Sequence, residues 1–561
     1  MPTDNNAVLI ARKRVDALRS FLEASEGQPV SLIETHISWV LLTTSVTSSL
    51  AYKLKKPVRL PFLDFTTLAA RRHFCEEELR LNRRLAASLY LDVVDVCETP
   101  QGPRFGGAGQ VLDAAVRMRR FPDGALWSDM LTEGRLAASH IDAMAQRLAD
   151  FHRDAAVAAF DSGFGSARIQ ERVTQGLVDA TDSIQAGQAA QAGQAGQTGQ
   201  TEPSAPGPDI DWPALRGWLG QQLRALAPWW ATRLRNGRVR ECHGDLHLSN
   251  VLQLDGLASA FDGIEFDAEL RWIDVLDDIA FLAMDLIAHG RKGLAARFIN
   301  AYLDASGDHD GLPALRFFMV RRALVRAQVM ALREPQGVPE HSPTAGRCGT
   351  ADYLAIASAV AANNDTRLAV MHGLPGSGKS YVSQRLIEEV GAIRVRSDVE
   401  RKRLFGLSAL QSSHGRVIGG IYTADATLRT GARLHEVARI ALGAGWPVVV
   451  DAAFLLLAER RRFAALAAAL ALPFSIFDCA AALPLLRQRI EQRSLQRASG
   501  VADASEADVA VLERLICADE PLEEAERAVA IVVDAAQPMS PETLAAHWLA
   551  AVPTRLAPTA G

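Results

Sequence analysis

At 561 residues the chain exceeds what a single hydrophobic core supports, so two or more domains are expected. Apolar residues at 48% and charged residues at 22% are ordinary for a soluble globular protein. A formal net charge of −5 argues against a dominant nucleic-acid or anionic-membrane role, because both need a basic surface. The N-terminal MPTDNNAVLIARKRVDAL has no apolar run after its charges, so it does not read as a secretory signal. The richest apolar stretch, 463–472, is stopped by Pro473, well short of the roughly 20 residues of a membrane span. Cys75, Cys97, Cys242, Cys348, Cys479 and Cys517 lack C-x-x-C spacing, which suits reduced thiols better than a disulfide framework or zinc site. A cytoplasmic protein is expected, with no membrane partner.

In chain order, β-rich segments at 38–44, 50–54 and 111–118 surround one helix at 68–88, and mostly helices follow. That pattern predicts a small sheet lobe joined to a helical lobe. The Gln/Ala/Gly tract 184–209 has no apolar periodicity and reads as a disordered insert. A second Pro/Gly-rich stretch begins at 335, so the first domain is placed at 1–335 and a linker at 336–365. From 366 the runs 368–372, 393–396, 447–450, 474–477 and 531–533 alternate with helical segments such as 422–442 and 483–497. Alternation of this kind implies an α/β domain with a parallel sheet, placed at 366–548 and followed by a tail at 549–561.

In the first half, His243-Gly244-Asp245-Leu246-His247-Leu248-Ser249-Asn250 sets an aspartate five residues before an asparagine. A phosphoryl acceptor needs a carboxylate to orient its hydroxyl and take the proton, the role of Asp245; the amide oxygen of Asn250 suits Mg²⁺. Asp255-Gly256 between short apolar runs predicts a two-residue hairpin turn. Folding about it pairs positions summing to 511, which sets Phe261 opposite Asn250 and brings Asp262 beside it as a second metal ligand. An ordinary hairpin with capping side chains is the competing reading.

In the second half, Gly373-Leu374-Pro375-Gly376-Ser377-Gly378-Lys379-Ser380 fits G-x-x-x-x-G-K-[ST] between a predicted strand and helix. Its glycines let backbone N–H groups converge on phosphate oxygens, Lys379 would reach the β/γ-phosphates, and the Ser380 hydroxyl would hold Mg²⁺. Asp398 and Asp451 follow the second and third strands, where open α/β sheets bind ligands. Asp398 is the candidate base and Asp451 the candidate metal partner, although either could be only a helix cap. Arg487, Arg489 and Arg493 share one helix; Arg489 and Arg493 could clamp phosphate or face solvent. The basic set Arg394, Arg396, Arg401, Lys402 and Arg403 fits a polynucleotide contact or a charged helix face. Trp212, Trp218, Trp229 and Trp230 read as helix packing.

H-G-D-x-H-x-x-N followed by Phe261-Asp262 resembles the catalytic loop and metal aspartate of the aminoglycoside phosphotransferase family, over about 5–335. That resemblance implies a two-lobed, α+β protein-kinase-like fold. Lys53 of LAYKLKKPV would meet the ATP phosphates, with Lys55 as its rival on the same strand face, paired to Glu78 or Glu77; 116–118 would form the adenine hinge. Asp277 and Asp278 would be structural. No G-x-G-x-x-G precedes Lys53. GLPGSGKS, SDVERKRLFG, VVVDAAF and LRQRIEQR resemble the AAA-type P-loop kinases, relatives of polynucleotide kinase, zeta toxin and chloramphenicol phosphotransferase, over about 366–548. Together the halves resemble bifunctional aminoglycoside phosphotransferase/ATP-binding proteins. The resemblance implies ATP- and Mg²⁺-dependent transfer to a small-molecule hydroxyl, with a regulatory ATPase or a polynucleotide-end kinase as alternatives. The acceptor and the oligomeric state are not set by the sequence.

Overall fold

Alternation along the strands of the first half puts apolar side chains on both faces of a sheet, so each face needs a covering helix. In the computed structural model, which describes residues 5–44, 49–60, 63–198, 210–333, 348–413, 421–499, 504–534, 536–537 and 539–552, both are present. The antiparallel sheet runs Ser31–Glu34, Ser38–Leu42, Leu50–Lys55, Val111–Arg119, Tyr90–Cys97, Arg104–Phe105. Trp39, Tyr52 and Leu54 pack on one face against Ala11, Val15, Leu18 and Leu22 of the helix Asn5–Glu26. Ala51, Ala114 and Val116 pack on the other, against Cys75 and Ala86 of the helix Leu68–Ala86. The sequence expectation of one helix before residue 130 is therefore corrected to two full-length ones.

Strand Leu50–Lys55 carries both candidate phosphate lysines. Because Tyr52 and Leu54 face the first helix, Lys53 and Lys55 must face the second, which carries Glu78. The expected adenine hinge at 116–118 lies inside the strand Val111–Arg119, whose Val116 pairs with both Lys53 and Val93. The chain leaves the sheet only at Arg120.

The helical lobe contains Ala138–Asp154, Trp212–Arg235, Val275–Ala288, Lys292–Ser306 and Leu312–Arg333. Trp230 packs on Phe317 and Phe318 in its core. Both low-complexity segments differ from the sequence expectation. Residues 184–198, read as part of a disordered insert, continue the helix Ala167–Thr198, since Ala and Gln favour helix and isolated glycines weaken it without breaking it. Of the span read as a linker, 350–362 forms the helix Thr350–Ala362, with Tyr353 and Leu354 buried in the same cluster as Phe317 and Phe318. Residues 199–209, 334–347 and 553–561 lie outside the described residues.

The second half is a five-stranded parallel sheet in the order Ile393–Arg396, Val448–Asp451, Leu368–His372, Phe474–Ala480, Ala530–Asp534. Ile393, Val395, Leu434 and Val437 belong to one buried cluster with Phe317, Val320 and Leu324 of the helical lobe. The two halves thus share a core. All six cysteines are free, four of them buried.

Candidate active sites

The hairpin forms in the expected register: Val251 pairs with Ala260 and Leu254 with Leu257, around a turn in which Asp255 and Gly256 both have positive φ (51° and 77°). The Phe261 N–H donates to the Asn250 carbonyl at 3.0 Å, so the next residue, Asp262, emerges beside Asn250. Asn250 Nδ2 donates to the Asp245 carbonyl and to Asp245 Oδ2, both at 3.0 Å, which leaves its Oδ1 as an acceptor for a cation. Asp262 sits at φ 61°, a conformation costly for a residue with a Cβ, and its N–H donates to the Tyr90 hydroxyl at 3.2 Å.

Both lysines of the central strand reach this region. Lys53 Nζ donates to Glu78 Oε1 at 2.9 Å and pairs with Asp262; Lys55 Nζ donates to Glu78 Oε2 at 2.8 Å and pairs with Glu265. Glu78 therefore bridges the two rivals. Lys53 alone touches Asp262, whose side chain is 43% exposed, whereas the Lys55 and Glu265 side chains are 1% and 5% exposed. Burial works to raise the Glu78 carboxyl, yet Lys53 and Lys55 outweigh it and hold it at about 2. Glu77 turns away, pairing with Arg80 at 2.9 Å.

The loop itself is held from beneath. The N–H groups of His243 and Gly244 donate to Asp278 at 3.1 and 2.8 Å, and the Leu248 N–H donates to Asp285 at 2.9 Å. Arg322 joins Asp277 Oδ1 at 2.8 Å to the Gly244 carbonyl at 3.0 Å. Asp277 and Asp278 are thus loop supports. His243 accepts the Asp245 N–H on Nδ1, so its Nε2 donates to the Phe261 carbonyl at 2.9 Å, and burial pushes its pKa down in keeping with a neutral ring. Burial would raise the Asp245 carboxyl, but His247, Arg326 and His243 outweigh it and hold it well below the usual carboxylate range. His152, Cys242 and Asp278 place ligand-type atoms within 4.8 Å of one another. That group is a hydrogen-bond chain: His152 spends Nδ1 on the Tyr302 hydroxyl at 2.9 Å and Nε2 on Asp278 at 3.1 Å.

In the second half, strand Leu368–His372 leads through the glycine loop into the helix Lys379–Val390. A Cβ on Gly373 (φ 131°) would overlap the Cys479 carbonyl, whereas one on Gly378 (φ 100°) would meet nothing within 4 Å. The first glycine is needed for packing and the last faces open space. The helix starts at Gly378 with no side-chain cap, so its leading N–H groups remain available. Ser377 Oγ is buried without a hydrogen-bond partner among the described residues. Such a cradle fits a phosphate chain, with Lys379, Ser380 and Asp451 as its charged and oxygen donors. Lys379 Nζ rests on the Gly373 and Leu374 carbonyls at 2.8 and 2.9 Å, and burial lowers its pKa. Arg489 donates to the Gly376 carbonyl at 3.0 Å, while Arg487 pairs with Glu513 at 2.7 Å.

Asp451 ends its strand at the sheet's carboxyl edge and accepts a hydrogen bond from Ser383 at 3.0 Å, so neither it nor Asp398 is a helix cap; the cap position before Asp398 is Arg396. Burial raises the Asp398 pKa, opposed by Arg396 and Arg401 and assisted by Asp451. The basic run is divided: Lys402 is buried against Glu506 at 3.3 Å, Arg403 reaches the Asp304 carbonyl at 2.7 Å, and Arg401 lies over the Tyr422 ring. Sequence reasoning missed Ser383, Tyr90, Asn82, whose Oδ1 accepts the Gly263 N–H at 2.8 Å, and His152. None lies in a spaced motif, so their roles become visible only through the fold.

Fold and sites together define a protein-kinase-like α+β half, an antiparallel sheet joined to a helical lobe, fused to an α/β half that carries a P-loop. Residues 368–521 match the family described as AAA domain. The chain belongs to the same family as the uncharacterized protein Rv2004c of Mycobacterium tuberculosis, to which it is 30% identical over 487 residues, 86% of this chain and 89% of that one. Among solved structures it is similar to aminoglycoside phosphotransferase APH(4)-Ia (13% identity, 62% of this chain and 98% of that chain, TM-score 0.33). It is also similar to a sugar kinase from Janibacter sp. HTCC2649 (20% identity, 34% and 96%, TM-score 0.25). No helix among the described residues is long and apolar enough to cross a membrane.

Proposed function

We propose that the protein is a cytoplasmic, ATP- and Mg²⁺-dependent phosphotransferase with two kinase sites, each passing the γ-phosphoryl group to a hydroxyl of a small molecule. The observation that carries this reading is the convergence of Lys53, Glu78 and Asp262 with Asp245 and Asn250 around one hairpin. In the first site Lys53, fixed by Glu78, meets the ATP phosphates. Asp245, kept ionised by its neighbours, orients the acceptor hydroxyl and takes its proton as the oxygen bonds to phosphorus and ADP leaves. Asp262 and Asn250 would hold Mg²⁺, which supplies charge neutralisation on the phosphates.

In the second site the amides around Gly376 to Lys379 grip the phosphate chain, Lys379 leaves its two carbonyls to counter the charge, and Ser380 and Asp451 would hold the metal. Asp398, whose raised pKa favours proton acceptance, is the base. In both sites catalysis is positioning and charge stabilisation. Division of the basic run between buried pairs and a ring contact argues against a nucleic-acid acceptor.

The test is a metabolite extract incubated with ATP and Mg²⁺ and the unsubstituted chain, Asp245→Ala or Lys379→Ala, then read by untargeted mass spectrometry. A phosphorylated product lost in one variant identifies both acceptor and site. ATP binding with no acceptor-dependent product in any extract would favour a regulatory ATPase, and labelled oligonucleotides would favour an end kinase.

A further inference from the structure

The first strand of the parallel sheet, Ile393–Arg396, is an edge strand, and its outward backbone groups need partners. They find one outside the P-loop half. Asn300, buried on the helix Lys292–Ser306, donates from Nδ2 to the Ala392 carbonyl at 2.9 Å and accepts the Arg394 N–H on Oδ1 at 2.6 Å. One side chain therefore stands in for an added strand. One turn further along the same helix, Asp304 Oδ2 lies 3.4 Å from Arg396 Nη1 and 3.9 Å from Arg394 Nη2. The Asp304 and Leu303 carbonyls, at the negative end of that helix, accept Arg403 Nη2 at 2.7 and 3.4 Å. Gly307 (φ 69°) closes the helix, and any Cβ there would overlap the Arg403 guanidinium. These contacts flank Asp398 on both sides: Arg396 precedes it by two residues and Arg403 follows on the same short helix, Ser397–Leu404.

We propose that the kinase-like half completes the P-loop site: Asn300 and Asp304 are positioning residues that fix the strand and helix from which Asp398 acts, with Asp304 holding Arg396 beside it. This rests on the reading of Lys379 and Asp398 as a phosphotransfer site. Arg396 carries a full positive charge close to Asp398 and Asp451. Held by Asp304, it cannot collapse onto the Asp398 carboxylate and occupy the place of the acceptor hydroxyl. The chemistry of the second half is thereby made to depend on a helix of the first, and Tyr302, on that same helix, begins the His152–Asp278 chain under the first site.

The experiment uses the full-length chain carrying Asp245→Asn, so that only turnover dependent on Lys379 is read, as ADP formed from ATP with Mg²⁺ and a deproteinised metabolite extract present as the source of acceptor. Asp304→Asn, which keeps the shape of the side chain, is expected to lower kcat about tenfold while the KM for ATP stays within about twofold, since positioning acts on the transition state. Asp304→Glu should restore part of the loss. Amides of 393–404 should exchange faster with deuterium in Asp304→Asn, and more so in Asn300→Ala, with the rest of the P-loop half unchanged. Unaltered kcat with unaltered exchange overturns the proposal, as does a uniform rise in exchange across the second half, which would mark plain destabilisation. If the chain without Asp304 or Asn300 substitutions shows no turnover dependent on Lys379, the phosphotransfer reading fails instead. The positioning claim is then decided by exchange alone: a local rise at 393–404 supports it and no rise overturns it.

Discussion

Lys53 and Lys55 share Glu78, yet the structure gives them different work, and two substitutions separate it. Lys55→Met removes a cation from between Glu78 and Glu265, whose side chains are 0% and 5% exposed. Glu78 keeps Lys53, but Glu265 loses its partner in a dry environment, and breaking a buried pair costs about 3–5 kcal/mol. Burial already raises the Glu265 pKa. Without Lys55 it rises further, so the carboxyl takes up a proton, and the loss of stability should shrink as pH falls. Lys53→Met instead leaves Glu78 with Lys55 and releases Asp262, which is nearly half exposed, so no buried carboxylate is left without a lysine and its cost to folding should be smaller than that of Lys55→Met. Its cost to nucleotide binding should be larger, because a charge-assisted hydrogen bond to phosphate contributes about 1.5–3 kcal/mol, or roughly 10- to 100-fold in Kd. The assay is calorimetric titration of ATP with Mg²⁺ into each variant in a Lys379→Ala background, alongside urea unfolding. If Lys55→Met abolishes ATP binding at unchanged stability while Lys53→Met binds normally, the assignment is reversed and Lys55 is the phosphate lysine.

Asp245→Ala and Lys379→Ala should each remove one of two activities by about 10²-fold or more and leave the other, checked by product analysis of both variants. If both activities fall together, the two-site reading is wrong. The sites should also differ in pH response. A base works only when ionised; Asp398 is raised by burial, whereas Asp245 is held well below the usual range. On acidification from neutrality, turnover in Asp245→Ala should therefore decline before turnover in Lys379→Ala, and the opposite order in rate–pH profiles would refute these base assignments. Asp278→Asn replaces one acceptor oxygen with a donor facing the buried His243 and Gly244 amides, costing about 1–3 kcal/mol in urea unfolding and lowering turnover in the first site. Unchanged stability would show that the loop does not depend on this carboxylate.

What was legible in the sequence was local. The hairpin register followed from one Asp-Gly turn, because pairing about a two-residue turn leaves no freedom in which residues face each other. Strands such as Leu368–His372 and Val448–Asp451 were readable because buried parallel strands are short runs of apolar or β-branched residues. Strand alternation put both lysines on one face but could not choose between them; depth of burial and reach to Asp262 distinguish them, and those depend on distant segments. Tyr90 was invisible for the same reason: its hydroxyl meets Asp262 across 172 positions of sequence. The helix Asn5–Glu26 was missed although Ala11, Val15, Leu18 and Leu22 repeat at helical spacing, because the charges interleaved with them blur the apolar stripe.

Composition misled most at the junction of the halves, where Pro and Gly before 350 suggested a linker reaching to 365. Thr350–Ala362 is instead part of the kinase-like half: the Tyr353 hydroxyl donates to Asp285 Oδ1 at 2.8 Å, and Asp285 Oδ2 accepts the Leu248 N–H of the catalytic loop at 2.9 Å. Arg326, on the facing helix, lies over the Tyr353 ring and helps keep Asp285 and Asp245 ionised. A fragment ending at 335 removes Tyr353 and uncovers the apolar face of Leu312–Arg333 that it packs against, while one ending at 365 retains both. Loss of a buried aromatic and its hydrogen bond costs about 3–5 kcal/mol. Catalytic-loop amides, Leu248 above all, should therefore exchange markedly faster in the shorter fragment. Equal exchange in the two fragments would mean that the helix after the junction contributes nothing to the first site, and that its boundary does lie at 335.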